Sequence, residues 1–122
     1  MNDKIKHQEG LYTEYRPWGY FTVLEDSDNY KVKKLVINPH KRISLQYHNY
    51  RDERWIIARG SAFITIGTTS RVYETGEVAR ISKKEIHRIE NKTDSEVVII
   101  EVQIGEYLGE DDIFRIEDDF SR

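Results

Sequence analysis

Apolar residues along this chain come in short bursts broken by turn formers, with no long stretch at helical period. Runs rich in Val, Ile, Thr, Tyr and Phe predict strands near Tyr20–Glu25, Tyr30–Ile37, Arg42–His48, Glu53–Arg59, Ser61–Ile66, Ser70–Glu74, Val78–Ile81, Glu85–Asn91 and Val97–Ile104. Residues of these types suit a pleated, half-buried surface. Between the runs stand Asp26-Ser27-Asp28-Asn29, Asn38-Pro39, Gly60, Gly67-Thr68-Thr69 and Thr75-Gly76, all turn chemistry. Many short strands at close spacing predict an all-β sandwich or barrel in a single domain. Residues 1–18 show no clear period and are expected to cross the sheet as an arm, with the barrel at 19–105. Residues 106–122 carry Glu106, Glu110, Asp111, Asp112, Glu117, Asp118 and Asp119 around Ile113, Phe114 and Ile116. That tail is expected to be a solvated helix or an extension packed on or beside the barrel.

Alternation within one strand brings polar groups together. Side chains two apart share a face, so Arg42, Ser44, Gln46 and His48 are expected to point one way and Ile43, Leu45 and Tyr47 the other. After Asn49-Tyr50-Arg51 the next strand begins at Glu53, which a hairpin would set opposite Gln46 and His48. Such polar groups facing a barrel interior are costly unless something compensates them. His87 opens a later predicted strand. Two imidazoles, one carboxylate and one amide oxygen form a mixed N/O set suited to a divalent Zn, Mn, Fe, Co or Ni ion. The alternative is that His48 and His87 are unconnected surface or core histidines. Glu101 and Gln103 alternate with Val97 and Ile99, so Glu101 is either a candidate base reaching the pocket or a buried hydrogen-bonding partner. Trp18 and Trp55 read as core or rim residues before sugar platforms.

Composition narrows the classes. A chain of 122 residues has room for one core. With 19 Lys and Arg against 22 Asp and Glu, a net charge of −3 and no basic cluster, it is no general nucleic-acid binder. An anionic small molecule needs only two or three local cations. No apolar run is long enough for a membrane span, and the first ten residues lack the apolar centre of a secretory signal. The absence of cysteine excludes disulfides and thiolate metal sites and fits a cytoplasmic protein.

The spacing then resembles the two motifs of the cupin superfamily. The first, G-x5-H-x-H-x(3,4)-E-x6-G, falls here on His40, Gln46, His48, Glu53 and Gly60. The second, G-x5-P-x-G-x2-H-x3-N, falls on Gly76, Ser82, Lys84, His87 and Asn91. Longer segments, YRPWGYF, VKKLVINP, ISLQYHNYRDERWII, HRIEN and EVQIGEYLGEDDIFR, look like the type II mannose-6-phosphate isomerase domain. That domain is usually the C-terminal part of a bifunctional enzyme fused to a mannose-1-phosphate guanylyltransferase. The resemblance covers about residues 15–122 and lacks the guanylyltransferase half with its glycine-rich loop. Gln46 in place of the first motif histidine is itself a subfamily feature and supports a ligand set of Gln46, His48, Glu53 and His87.

What the resemblance implies is a double-stranded β-helix, or cupin jelly roll, binding one divalent metal and isomerising a phosphorylated hexose. Arg42, Ser44 and, favoured by the subfamily match, Lys33 are the expected phosphate partners; Arg88 is a second-rank catalytic candidate. Alternation turns Arg88 away from His87. Such cupins commonly pair through edge strands, so a homodimer is expected. The sequence departs from the motifs at His40, Ser82 and Lys84, where glycine or proline sets the turns, and at Asn49-Tyr50 and Phe120-Ser121. These departures keep open a non-catalytic sugar- or nucleotide-sugar-binding cupin regulating a partner; a metal-dependent oxygenase, also hosted by cupins, is a third reading.

Overall fold

The computed structural model describes residues 11–120. Among them there is no helix; the strands are β1 (Tyr12–Arg16), β2 (Gly19–Asp26), β3 (Tyr30–Ile37), β4 (Leu45–Tyr47), β5 (Arg51–Arg59), β6 (Ala62–Ile66), β7 (Thr69–Tyr73), β8 (Val78–Ile81), β9 (His87–Glu90), β10 (Val97–Gly105) and β11 (Phe114–Glu117). They form a six-stranded sheet in the order β1-β2-β3-β10-β5-β8 and a five-stranded sheet in the order β11-β4-β9-β6-β7. The all-β expectation holds, as a two-layer jelly roll.

The larger sheet follows its alternation closely. On β3 the inward residues are Lys31, Lys33, Leu35 and Ile37; on β5, Arg51, Glu53, Trp55 and Ile57; on β10, Val97, Ile99, Glu101 and Gln103. Register ranks them in rungs: Leu35 beside Ile99 beside Ile57, then Lys33 beside Glu101 beside Trp55, then Lys31 beside Gln103 beside Glu53. The apolar rungs meet Ala62, Ile64 and Ile89 of the other sheet, with Trp18, Phe21, Ile43 and Ile81 completing the core. Each such side chain taken from water contributes roughly 1.5–3 kcal/mol.

Several expectations are corrected. The run 42–48 is not one strand: Arg42 makes an isolated bridge to Glu90, and regular pairing covers only Leu45–Tyr47. Face-sharing across 42–48 therefore fails, and Ile43 packs in the core. Nor do β4 and β5 form a hairpin, since they belong to opposite sheets. The arm contributes a strand, β1, paired along its length with β2. The acidic tail is not a helix: it passes buried Leu108 and Asp112 and pairs β11 with β4, Phe114 stacking on Tyr47 with centroids 5.1 Å apart. The turn departures keep their backbone geometry, because His40 and Lys84 both adopt positive φ, 62° and 67°. For a residue with a Cβ this conformation costs on the order of 1 kcal/mol. Lys84 N–H donates to His48 C=O at 2.6 Å, which ties that turn to the site. Asn91 is a staple: its Nδ2 donates to the carbonyls of Ile37 and Ser95.

Candidate metal centre

His48, Glu53 and His87 converge from three directions. β4 runs into His48 in one sheet, β5 carries Glu53 in the other, and β9 opens with His87, whose register partner is Gln46. One donor atom from each of the three lies within 4.8 Å of the others, and all three are buried. His48 Nε2 is 3.3 Å from Glu53 Oε2, and the two imidazole centroids are 4.9 Å apart.

Backbone carbonyls orient both rings. His48 Nδ1 bonds to the Asp112 carbonyl at 2.6 Å and His87 Nδ1 to the Glu85 carbonyl at 2.9 Å. A carbonyl only accepts, so each Nδ1 carries the proton and each Nε2 keeps its lone pair. Burial pushes the His48 pKa down to about 4 and that of His87 down as well, leaving both rings neutral at pH 7. Burial alone would raise the Glu53 carboxyl, but the Arg51 guanidinium and the two imidazoles outweigh it and hold the group well below the usual range. The set thus presents two imidazole lone pairs and a carboxylate. His87 Nε2 is buried with no hydrogen-bond partner, an atom shaped for a ligand bond. Gln46 lines the adjoining cavity, and its Oε1 accepts from the fully buried Ser44 hydroxyl. Ser44 orients Gln46 and does not line the cavity. These donors fit a divalent ion of the zinc-to-manganese group.

A cavity of about 120 Å³ adjoins the cluster, lined by Trp18, Phe21 and Trp55 and by charged residues of both signs. Lys33 reaches it and bonds Glu110 at 2.6 Å, its ammonium 4.2 Å from the Phe21 ring centre. Arg16 and Arg115 supply further cationic lining. Arg51, buried at the boundary, donates from Nε to Glu53 Oε2 at 2.8 Å and sets Nη2 3.3 Å from His48 Nε2. Burial disfavours its charge, but the carboxylates of Glu53 and Glu101 raise its pKa overall. Glu101 also lines the cavity; its Oε1 accepts from Gln103 and its Oε2 lies 3.3 Å from Trp55 Nε1. Burial and the facing negative charge of Glu53 raise its pKa to about 8, so Glu101 is mostly protonated at pH 7.

Two expected site residues lie elsewhere. Arg42 turns outward and grips Asp119 with a two-pronged pair, Nε to Oδ2 at 2.7 Å and Nη2 to Oδ1 at 2.8 Å. Arg88 donates to the Ile43 carbonyl and to Glu117, latching β11 to its sheet. Arg42 was placed by extending local alternation past a break, whereas Arg88 was a candidate only through the resemblance, alternation already turning it away from His87. Conversely, Arg51 was read as part of a turn, although it shares its strand face with Glu53. Arg16, Glu110, Asp112 and Arg115 lie in end segments without periodicity, where no local signal marks them.

A family profile described as Mannose-6-phosphate isomerase C-terminal matches residues 2–118. A mannose-1-phosphate guanylyltransferase of Salmonella muenchen is 36% identical over 116 residues, covering 95% of this chain and 24% of the relative. The alginate biosynthesis protein AlgA of Pseudomonas aeruginosa is 38% identical over 108 residues, covering 88% and 22%. The chain therefore spans about a quarter of the length of these relatives. Among solved structures, a cupin-2 domain protein of Rhodospirillum rubrum superposes with a TM-score of 0.71 at 13% identity, covering 84% of this chain and 78% of that one, a likeness of fold.

Proposed function

This chain belongs to the mannose-6-phosphate isomerase C-terminal family, and we propose that it is a metal-dependent sugar-phosphate isomerase interconverting mannose 6-phosphate and fructose 6-phosphate. The observation that carries the reading is the convergence of His48, Glu53 and His87 with His87 Nε2 buried and unpaired beside a cation-lined cavity. Gln46, His48, Glu53 and His87 would hold the ion. A divalent ion there supplies Lewis-acid polarisation of a carbonyl oxygen and its neighbouring hydroxyl.

The rest falls to side chains of the cavity. Aldose–ketose isomerisation moves a proton between C1 and C2 through an enediolate, so it needs an anchor for the substrate, a proton carrier and stabilisation of the developing oxyanion. Lys33 anchors the phosphate, exchanging Glu110 for it, with Arg16 and Arg115 as further cationic lining. Trp18, Phe21 and Trp55 exclude water and wall the carbon skeleton. Glu101 is the proton carrier. Burial first, and then the negative charge of Glu53, keep it protonated; offsetting the Glu53 charge would shift it toward the ionised form that accepts a proton. Trp55 Nε1 and Gln103 Nε2 hold its carboxyl in place. The positive φ at His40 and Lys84 supports a retained turn geometry, so the motif departures do not favour the non-catalytic alternative.

Metal analysis of the purified protein, followed by a coupled assay with mannose 6-phosphate and fructose 6-phosphate, tests the reading. Lys33→Ala should raise KM for the phosphorylated sugar by about 10–100-fold, the loss of a charged hydrogen bond of about 1.5–3 kcal/mol. A KM unchanged within twofold removes Lys33 from the phosphate site.

A further inference from the structure

Asp112 stands out in the acidic tail. Glu110 and Asp111 on one side and Phe114 to Glu117 on the other are exposed, whereas Asp112 is only 3% exposed. A carboxylate withdrawn from water needs compensation, and here backbone groups give it. Asp112 Oδ1 accepts from Asn49 N–H and Oδ2 from Tyr50 N–H, each at 2.9 Å. Those are the two residues that follow His48. The Asp112 carbonyl accepts from His48 Nδ1 at 2.6 Å, and its N–H donates to Gly109 C=O at 3.1 Å. One residue of the tail therefore grips both the ring of a candidate ligand and the turn that carries it.

We propose that Asp112 is a positioning residue for the metal centre, its side chain clamping the turn after His48 so that its own carbonyl holds the proton on His48 Nδ1 and aims Nε2 inward. The proposal rests on the reading of His48 as a ligand. His87 is the internal contrast, because its Nδ1 is anchored by Glu85, two residues away on the same turn. That anchor is local, whereas the anchor of His48 comes from a segment that reaches the site only when the tail docks. Without the Asp112 carboxylate, the turn loses two charge-assisted bonds and the carbonyl loses its fixed distance from the ring. Removing an outer partner of a histidine ligand typically costs about 10–100-fold in metal affinity.

The test uses the full chain in wild-type, Asp112→Ala and Asp112→Asn forms. Long-range ¹H–¹⁵N spectra of the metal-free proteins report each histidine tautomer, and cobalt(II) titration reports affinity and ligand-field spectrum. The wild type should show His48 as the Nδ1–H tautomer. Asp112→Ala should mix the His48 tautomers, leave His87 unchanged and weaken cobalt binding by about 10–100-fold. Asp112→Asn keeps one oxygen acceptor and should move both readouts in the same direction by less; it carries the test if the alanine variant does not fold. An unchanged His48 tautomer with unchanged cobalt affinity overturns the proposal. Wild-type protein that takes up no cobalt overturns the metal reading, and the tautomer spectra alone then decide whether Asp112 positions His48.

Discussion

The inward face of the larger sheet has two ends built from the same strands by opposite rules. At one end Leu35, Ile37, Ile57, Val97 and Ile99 close on Ile64 and Ile89 of the facing sheet. Two to four residues further along the same strands stand Lys33, Glu53, Glu101 and Gln103, equally buried and all polar. Ile99 is fully buried and Glu101 is 6% exposed, so burial does not distinguish the ends. Compensation does. Apolar side chains need only shape, whereas each charged group at the polar end needs a named partner: Glu53 has Arg51, Lys33 has Glu110 and Glu101 keeps its proton. Among the described residues the atoms left over are Gln103 Oε1, at the polar end, and His87 Nε2, which meets that end from the other sheet. One end holds the barrel together, and the other spends burial on chemistry.

The largest expected effect falls at the polar end. His87→Ala should lower kcat by about 10³-fold or more, because Lewis-acid stabilisation supplies several kcal/mol and about 1.4 kcal/mol is tenfold. Far-ultraviolet circular dichroism should stay that of the wild type. Retained turnover would break the assignment of function to this end, and a collapsed spectrum would make the cluster structural.

At the apolar end the outcome reverses. Ile99→Ala should cost about 2–5 kcal/mol in urea unfolding, the price of a core cavity. The folded fraction should keep its KM. Glu101→Gln, one inward position along, should change stability far less, since the amide keeps the shape and, like the protonated acid, sets no second negative charge beside Glu53. Equal losses from the two variants would mean that the ends do not differ as described.

A smaller effect is the pH dependence of the metal-free protein. Glu101 has its pKa raised from 4.5 to about 8, so the folded state binds a proton that the unfolded state releases, and its contribution is lost as pH rises through that window. His48, lowered from 6.5 to about 4, works the other way: its contribution is present above pH 6.5 and lost as pH falls toward 4. Between about pH 6.5 and 8 only the Glu101 contribution of this pair changes. Wild-type stability should decline there, and Glu101→Gln should be flat. Parallel wild-type and variant curves from urea titrations across this range would place the proton elsewhere.

Much of this is legible in the sequence. Most strands follow runs of β-branched and aromatic residues, and the histidines His48 and His87 with Glu53 stood out as an N/O donor set. The errors have separate causes. Alternation was extended across Arg42–His48, where the chain bridges once and then bends, so Arg42 was placed inside when it pairs with Asp119. Arg88 was weighed for chemistry only through its place in the family's HRIEN block, and its guanidinium bonds Glu117 of the tail. The tail's acidic sequence leaves a solvated helix and a packed extension both open, since nothing local distinguishes Asp112 from Asp111.

What the sequence determined by itself is therefore the local pattern: which residues extend, which alternate inward along each long strand, and which donor types are available for a metal. Periodicity is a property of a few neighbouring residues, and it survives in any fold that keeps the strand. The tertiary structure decided the rest. It set β4 and β5 in opposite sheets, so that His48 meets Glu53 across the barrel, and brought Arg51 against both. It also docked the tail so that Asp112 reaches His48 and Glu110 reaches Lys33. Proton positions belong to this second class. They depend on desolvation and on charges from distant segments, and both come into being only when those segments pack together.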